Sequence, residues 1–195
     1  MDQQIKKVFH TALVLVPPKN CIDQIQLLRK QHDKAYERWM PHVNLCFPFV
    51  DPAQFDQVFQ NLQNHLKNFP AFQVRLREFN HFQHGKNCVM WLKPEAENDG
   101  IQLLYQEILK VYPQLDDLNK KSENGFQPHV TVGQFGTNQI EQRKKGFQPQ
   151  FQEVQFQCQE IHMISRNGQD DPFKIIHTIK FKTDNPQAYE YPGQK

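Results

Sequence analysis

A chain of 195 residues, 38% hydrophobic and 23% charged, is long and apolar enough to bury a substantial core, and its 16 Phe supply much of the material. The formal charge of +2, from 23 Lys and Arg against 21 Asp and Glu, excludes an architectural nucleic-acid binder and is compatible with a local basic cleft. The longest apolar run, Ala12 to Val16, is far short of the ~20 residues that span a bilayer, which excludes insertion of such a helix.

The elements are predicted in chain order as follows. Val8 to Val16 reads as a buried strand closed by Pro17-Pro18. A helix with an Asn20 cap follows, its stripe made by Ile22, Ile25, Leu27 and Leu28, and it fades near Tyr36. His42 to Val50 forms a strand, and Asp51-Pro52 opens a second helix with Phe55, Val58, Phe59, Leu62 and Leu66 inward. Phe72, Val74 and Leu76 alternate with Gln73, Arg75 and Arg77 as in a half-exposed strand, joined through the Gly85 turn to Cys88–Leu92 in a hairpin. Ile101, Leu104, Tyr105, Ile108, Leu109 and Tyr112 mark a helix ended by Pro113, and a polar loop through Lys120, Lys121 and Asn124-Gly125 leads to a strand from His129. A short helix around Gln139 to Lys145, a long strand Phe151 to Arg166 and a last strand Phe173 to Phe181, joined through Asn167-Gly168, complete the pattern. The order predicts an α+β protein of two pseudo-equivalent lobes in one unit, residues 1–183, with a loose tail over 184–195. Gln is abundant but scattered, with no tract and no evident cause.

Two short segments nearly repeat each other: Pro41-His42-Val43-Asn44-Leu45 and Pro128-His129-Val130-Thr131-Val132. Alternate residues of a strand share a face, so each segment presents an imidazole beside a small polar group. If the fold brings the two strands together, one imidazole can take a proton while the other gives one, which suits attack on a phosphate ester.

The paired motifs resemble those of the two-histidine (2H) phosphoesterases, whose hallmark is a pair of H-x-[ST]-x segments about a lobe apart. His129-Val130-Thr131-Val132 fits that pattern at every position, whereas His42-Val43-Asn44-Leu45 carries Asn for the usual Ser or Thr. The segment Ile161 to Arg166 followed by Pro172-Phe173 also resembles the family's closing strand pair. The resemblance implies a bilobal, duplicated fold: two antiparallel sheets with flanking helices around a central cleft. It implies His42 and His129 as the catalytic pair and Asn44 and Thr131 as hydrogen-bonding groups for the phosphate, with neither metal nor cofactor. The expected reaction opens a 2′,3′-cyclic phosphate of an RNA 3′ end or a small cyclic nucleotide to a monoester. A 2′-5′ RNA ligase, a 3′-exonuclease and a non-catalytic RNA-end or nucleotide binding module on the same fold are the alternatives.

Other residues carry weaker expectations. Trp39 and Phe135 flank the motifs as candidate base-stacking groups, with core packing as their competing role, and Arg166 is a candidate for reaching the cleft. Lys120 and Lys121 can steer a phosphate chain, while Arg143-Lys144-Lys145 reads as a solvated helix end. His81 and His84 with Cys88 lack a closing fourth metal ligand and read as hairpin residues; His10, His162 and His177 read as structural. Cys21, Cys46, Cys88 and Cys158 form no C-x-x-C pair and no signal-peptide pattern precedes them, so a monomer in the cytoplasm or nucleus is expected.

Overall fold

The computed structural model describes residues 4–194. The chain runs β1 (Lys7–Val8), β2 (Thr11–Leu15), α1 (Asp23–His32), β3 (Val43–Cys46), β4 (Phe49–Val50), α2 (Phe55–Leu66), β5 (Phe72–His84), β6 (Asn87–Ala96) and α3 (Gly100–Val111). It continues through α4 (Asp117–Lys120), β7 (Val130–Gly136), α5 (Ile140–Phe147), β8 (Val154–Cys158), β9 (Glu160–Ser165) and β10 (Lys174–Lys180). Local chemistry explains the clearest of these. Asp51 accepts from the Ala53 N–H at 3.1 Å and Pro52 starts the turn that leads into α2, which buries Phe55, Val58, Leu62 and Leu66 as its spacing requires. Gly85 turns the β5–β6 hairpin at φ 60°, a backbone region that suits glycine.

Two four-stranded antiparallel sheets, β10-β9-β2-β3 and β7-β6-β5-β8, carry the fold, with a small β1–β4 ribbon beside them. The motif strands β3 and β7 each stand at the edge of a sheet. The lobes are not consecutive halves of the chain. Strands near both chain ends build the sheet of the first motif, and the middle of the chain builds the other. The expected single strand from Phe151 to Arg166 is accordingly two: β8 edges one sheet, the chain crosses at Gln159, and β9 enters the other sheet. Helix α1, which precedes the first motif, packs on the strand of the second. Gly133 permits this approach, since a Cβ there would lie 2.6 Å from that of His32. One apolar core, including Leu13, Leu45, Val74, Leu92, Val130 and Ile161, runs through both sheets.

Several boundaries differ from expectation for local reasons. The first strand breaks at the Phe9-His10 turn into β1 and β2, and β3 ends before Phe47-Pro48 so that β4 pairs with β1 instead. Asn20 lies in the short turn Lys19–Cys21 and caps nothing. Helix α1 stops at His32, because Asp33 adopts an extended backbone, and Leu27 stands 62% exposed. The segment from Asp184, expected as a loose tail, is packed. Tyr191 is 2% exposed against the His162 ring at 4.4 Å, and the backbone N–H of Lys19 and of Ile175 donate to the carbonyls of Glu190 and Gly193.

Five of the glutamines have a shared structural role. The Gln24 amide donates to the Gln152 carbonyl at 2.6 Å and accepts from the Gln152 N–H at 3.0 Å. Gln63 does the same to Lys180 at 2.9 Å each way, and Gln159 to Gln187 at 2.6 and 2.8 Å. Gln148 bridges the Arg77 carbonyl and the Phe79 N–H, and Gln54 the Gln4 carbonyl and the Lys6 N–H. A carboxamide carries donor and acceptor side by side, so it pairs with stretches of backbone that no strand partners.

Candidate active site

Each motif histidine sits immediately before its edge strand and is anchored in the same way. His42 Nδ1 lies 2.7 Å from the Met40 carbonyl, and His129 Nδ1 lies 2.8 Å from the Gln127 carbonyl, in both cases two residues upstream. A carbonyl oxygen only accepts, so both Nδ1 atoms carry hydrogen and both Nε2 atoms hold a lone pair in the neutral rings. A second shared feature follows at the fourth motif position. Leu45 has no partner in the β2–β3 register and Val132 none in the β6–β7 register, so each is the extra residue of a β-bulge. The local backbone design of the two sites is therefore the same although their polar residues differ.

Around His42, the Trp39 ring stacks at 4.6 Å with 20° between planes and meets Phe173 at 4.0 Å on its other contact. The Asn44 amide nitrogen donates to His42 Nε2 at 3.1 Å, and its Oδ1 is buried without a partner among the described residues. Around His129, Phe82 presents its edge at 5.0 Å and Trp91 lies 6.0 Å away. A cavity of about 340 Å³ reaches Asn44 on one sheet and His129 on the other, with Phe47, Phe126 and Lys121 among its walls. Lys121 Nζ stands 5.6 Å over the Phe47 ring at the wall of this cavity. A hollow of about 860 Å³ elsewhere, lined by Gln73, Gln155 and Lys182, contains no imidazole, so size does not locate the chemistry.

Both imidazoles are held below their ordinary pKa. Burial pushes His42 down to about 4; the Met40 hydrogen bond opposes this, and the charges of Arg29 and His129 add to it. Burial also lowers His129, opposed by its hydrogen bond to Gln127. Both rings are neutral at pH 7 in the unliganded protein.

A buried polar bridge ties the two motifs together. Arg29 Nε donates to Asp33 at 2.8 Å and its Nη2 to the Trp39 carbonyl at 2.8 Å. The other Asp33 oxygen accepts from the Ala35 N–H at 2.9 Å and from Gln134 Nε2, on β7, at 3.2 Å. The chain just before His42 is thereby linked to the strand that follows His129.

The remaining expected site residues divide. Thr131 lies on the face of its strand two places from His129, opposite Trp91. Trp39 is half-buried, and its ring contacts are with His42, Phe173 and Phe47. Phe135 is 8% exposed and packs on His32 and Phe147, because the bulge at Val132 reverses strand parity and turns it to the core. Arg166 lies outside the cavity: its guanidinium donates to the Gln169 carbonyl and covers Phe173 at 4.7 Å. Lys120 pairs with Asp116 at 2.8 Å, leaving Lys121 as the cation at the cavity. His84, read from sequence as a hairpin residue, lines the cavity; its alternation with Phe82 on β5 was the available signal. His162 is fully buried beside Thr178 and pushed down to about 3 by that burial, as a structural histidine is. All four cysteines are free thiols, and no helix among the described residues is long and apolar enough to cross a membrane.

Comparison with known proteins agrees with this architecture. E. coli LigT in complex with 3′-AMP superposes with a TM-score of 0.60 at 13% identity, covering 91% of this chain and all of LigT. A protein of Thermus thermophilus superposes with a TM-score of 0.59 at 13% identity, covering 90% of this chain and 99% of its own. Putative phosphoesterases of Staphylococcus haemolyticus and Staphylococcus aureus are 25% identical over 177 residues, 87% of this chain and 97% of theirs. Residues 16–170 match the model of the 2′-5′ RNA ligase superfamily. With most of its length inside that match, the chain belongs to the 2′-5′ RNA ligase superfamily of 2H phosphoesterases.

Proposed function

We propose that the chain is a metal-independent phosphoesterase that opens 2′,3′-cyclic phosphates of RNA ends or small nucleotides, with His42 and His129 as its catalytic pair. The observation that carries this is the matched anchoring of two imidazoles, each with Nδ1 fixed on a carbonyl two residues upstream so that Nε2 is the nitrogen left to exchange a proton, once Asn44 releases that of His42. Structures of LigT bound to 3′-AMP, ATP and NADP+ support a nucleotide as ligand.

The lower pKa belongs to the base. His42, near 4, keeps its lone pair well into the acid range and takes the proton of the attacking water. His129, less strongly lowered, gives its proton to the departing ribose oxygen as the P–O bond breaks. Asn44 releases Nε2 and turns its amide toward a phosphate oxygen, Lys121 adds charge from the cavity wall, and Thr131, two places along from His129, is the expected second donor. Hydrolysis of a nucleoside 2′,3′-cyclic phosphate in EDTA tests this reading, and an inactive protein or one dependent on added metal refutes it. Activity falls as pH drops through about 4, where His42 becomes protonated, and also as pH rises through the lowered pKa of His129. The kcat/KM profile is thus expected to be bell-shaped with its maximum below neutrality, and a flat profile from about pH 4 to 8 counts against the pair.

The residue that departs from the family motif gives a second expectation. Asn44→Ala removes the hydrogen bond made to His42 Nε2 and the proposed phosphate donor, so kcat/KM falls by about 10- to 100-fold. Asn44→Thr, which restores a hydroxyl, stays within about 10-fold of the parent. One observation favours a non-catalytic binding module instead: in the unliganded structure the Asn44 amide occupies the lone pair of His42. Tight binding of a cyclic nucleotide without product decides for that alternative.

A further inference from the structure

We infer that the C-terminal strap, residues 184–194, is a positioning element: by seating Gly193 against Met40 it holds the carbonyl that orients His42. The inference rests on the reading of His42 as a catalytic imidazole and names what keeps that ring in place. The strap lies outside the residues matched by the superfamily model, which end at 170. It is fastened along its length, at the β8–β9 crossing, after β2 and on β10. Gln187 is held by the Gln159 amide at 2.6 and 2.8 Å, the Glu190 carbonyl by the Lys19 N–H at 2.8 Å, and the Gly193 carbonyl by the Ile175 N–H at 3.1 Å. Between these ties the Tyr191 ring is buried against His162, and the Tyr191 N–H donates to Gln194 Oε1 at 2.8 Å, closing a tight turn.

The turn delivers Gly193 to the back of the first motif. Its φ of 85° suits glycine, and a Cβ there would lie 2.7 Å from Met40 Cε, 3.5 Å from Met40 Sδ and 3.4 Å from the Phe173 carbonyl oxygen. Met40 is buried, and its carbonyl is the one that accepts from His42 Nδ1 at 2.7 Å. The strap thus holds the Met40 side chain while the Met40 main chain holds the imidazole. A second route runs through Phe173. Its N–H donates to the Arg38 carbonyl at 2.9 Å, its ring meets Trp39 at 4.0 Å, and Trp39 stacks on His42 at 4.6 Å. Met40, Phe173 and Tyr191 belong with Ala12, Val14 and Ile164 to one buried apolar cluster, distinct from the core that runs through both sheets. In so closely packed a cluster a shift of one member is passed to the next. The two halves of the near-repeat differ at this position. Gln127, which stands two residues before His129 as Met40 does before His42, is half-buried and lines the cavity. The strap therefore backs one imidazole of the pair, the one proposed as base.

Gly193→Ala presses a methyl group on Met40, and a chain ending at Pro192 removes the contact without a new side chain. Both are expected to lower kcat for a 2′,3′-cyclic phosphate about 3- to 30-fold with KM within about 2-fold, as misplacement of a catalytic group does. Imidazole nitrogen–proton NMR reads the same contact without turnover. The Nδ1–H of His42 is expected to exchange with water about 10-fold faster or more in both variants, and that of His129 to stay within about 2-fold of the parent. Gly193→Ala combined with Met40→Leu, which shortens the side chain that the methyl meets, recovers part of each loss. Leu66→Ala, which hollows the core under α2, destabilises the fold yet leaves both imidazole signals in place. An unchanged His42 signal, an equal change at both rings, the same change in Leu66→Ala, or no recovery in the double variant overturns the inference. If the parent turns over no substrate while His42 alone loosens in the variants, the phosphoesterase reading falls and the strap's hold on that ring stands.

Discussion

Replacing His129 or His42 by alanine is expected to lower kcat/KM for a 2′,3′-cyclic phosphate by about 10²- to 10⁴-fold, the usual contribution of general acid–base groups. The double variant should lose little more than either single one, because a proton accepted by one ring and a proton given by the other belong to one reaction event. The two single variants separate when the leaving group is changed. A phosphodiester with a nitrophenolate leaving group needs no acid, so it restores much of the His129→Ala loss and little of the His42→Ala loss. The reverse pattern would exchange the two roles. Neither substitution should shift the thermal midpoint by more than a few degrees, since each ring is only half-buried. A large shift would identify the ring as structural.

The second large effect concerns stability. Asp33→Ala leaves the Arg29 guanidinium buried with its counter-charge removed, and breaking a buried pair in this way costs about 3–5 kcal/mol. The denaturant midpoint should fall accordingly at an unchanged m-value. Asp33→Leu combined with Arg29→Met, which removes both charges and keeps volume, should recover most of that loss. The double variant also isolates function. It deletes the hydrogen bond from Arg29 to the Trp39 carbonyl and that from Gln134 to Asp33, which join the approaches to the two histidines. A stable but slow double variant indicates that the bridge sets catalytic geometry; full activity indicates that it serves stability alone.

The motif pair was readable because its information is local: a proline, an imidazole and a small polar group at strand spacing. The Asp51-Pro52 start of α2 was readable for the same reason. What escaped depends on partners distant in sequence. Nothing near Gln159 distinguishes a strand that continues from one that changes sheets. The parity of Phe135 was lost to a bulge that exists only in the register with β6. Tyr191 looked like part of a free end because its partner, His162, lies on β9, a strand inside the sheet of the first motif. The stack of Arg166 on Phe173, and of Phe173 on Trp39, likewise assembles only when the closing hairpin folds back behind the first motif.

An open sheet tends to recruit another strand wherever its outermost backbone groups are unmet, and two open sheets in one small protein double that hazard. On β10 the outward-facing N–H and carbonyl of Lys180 are taken by Gln63, and on β8 the N–H of Gln157 is taken by the hydroxyl of Tyr189. Side chains here stand where a neighbouring chain's backbone would otherwise dock. Gln63 and Tyr189 thus block one hydrogen-bonding position on each of these two edges by occupying it, in place of charge repulsion.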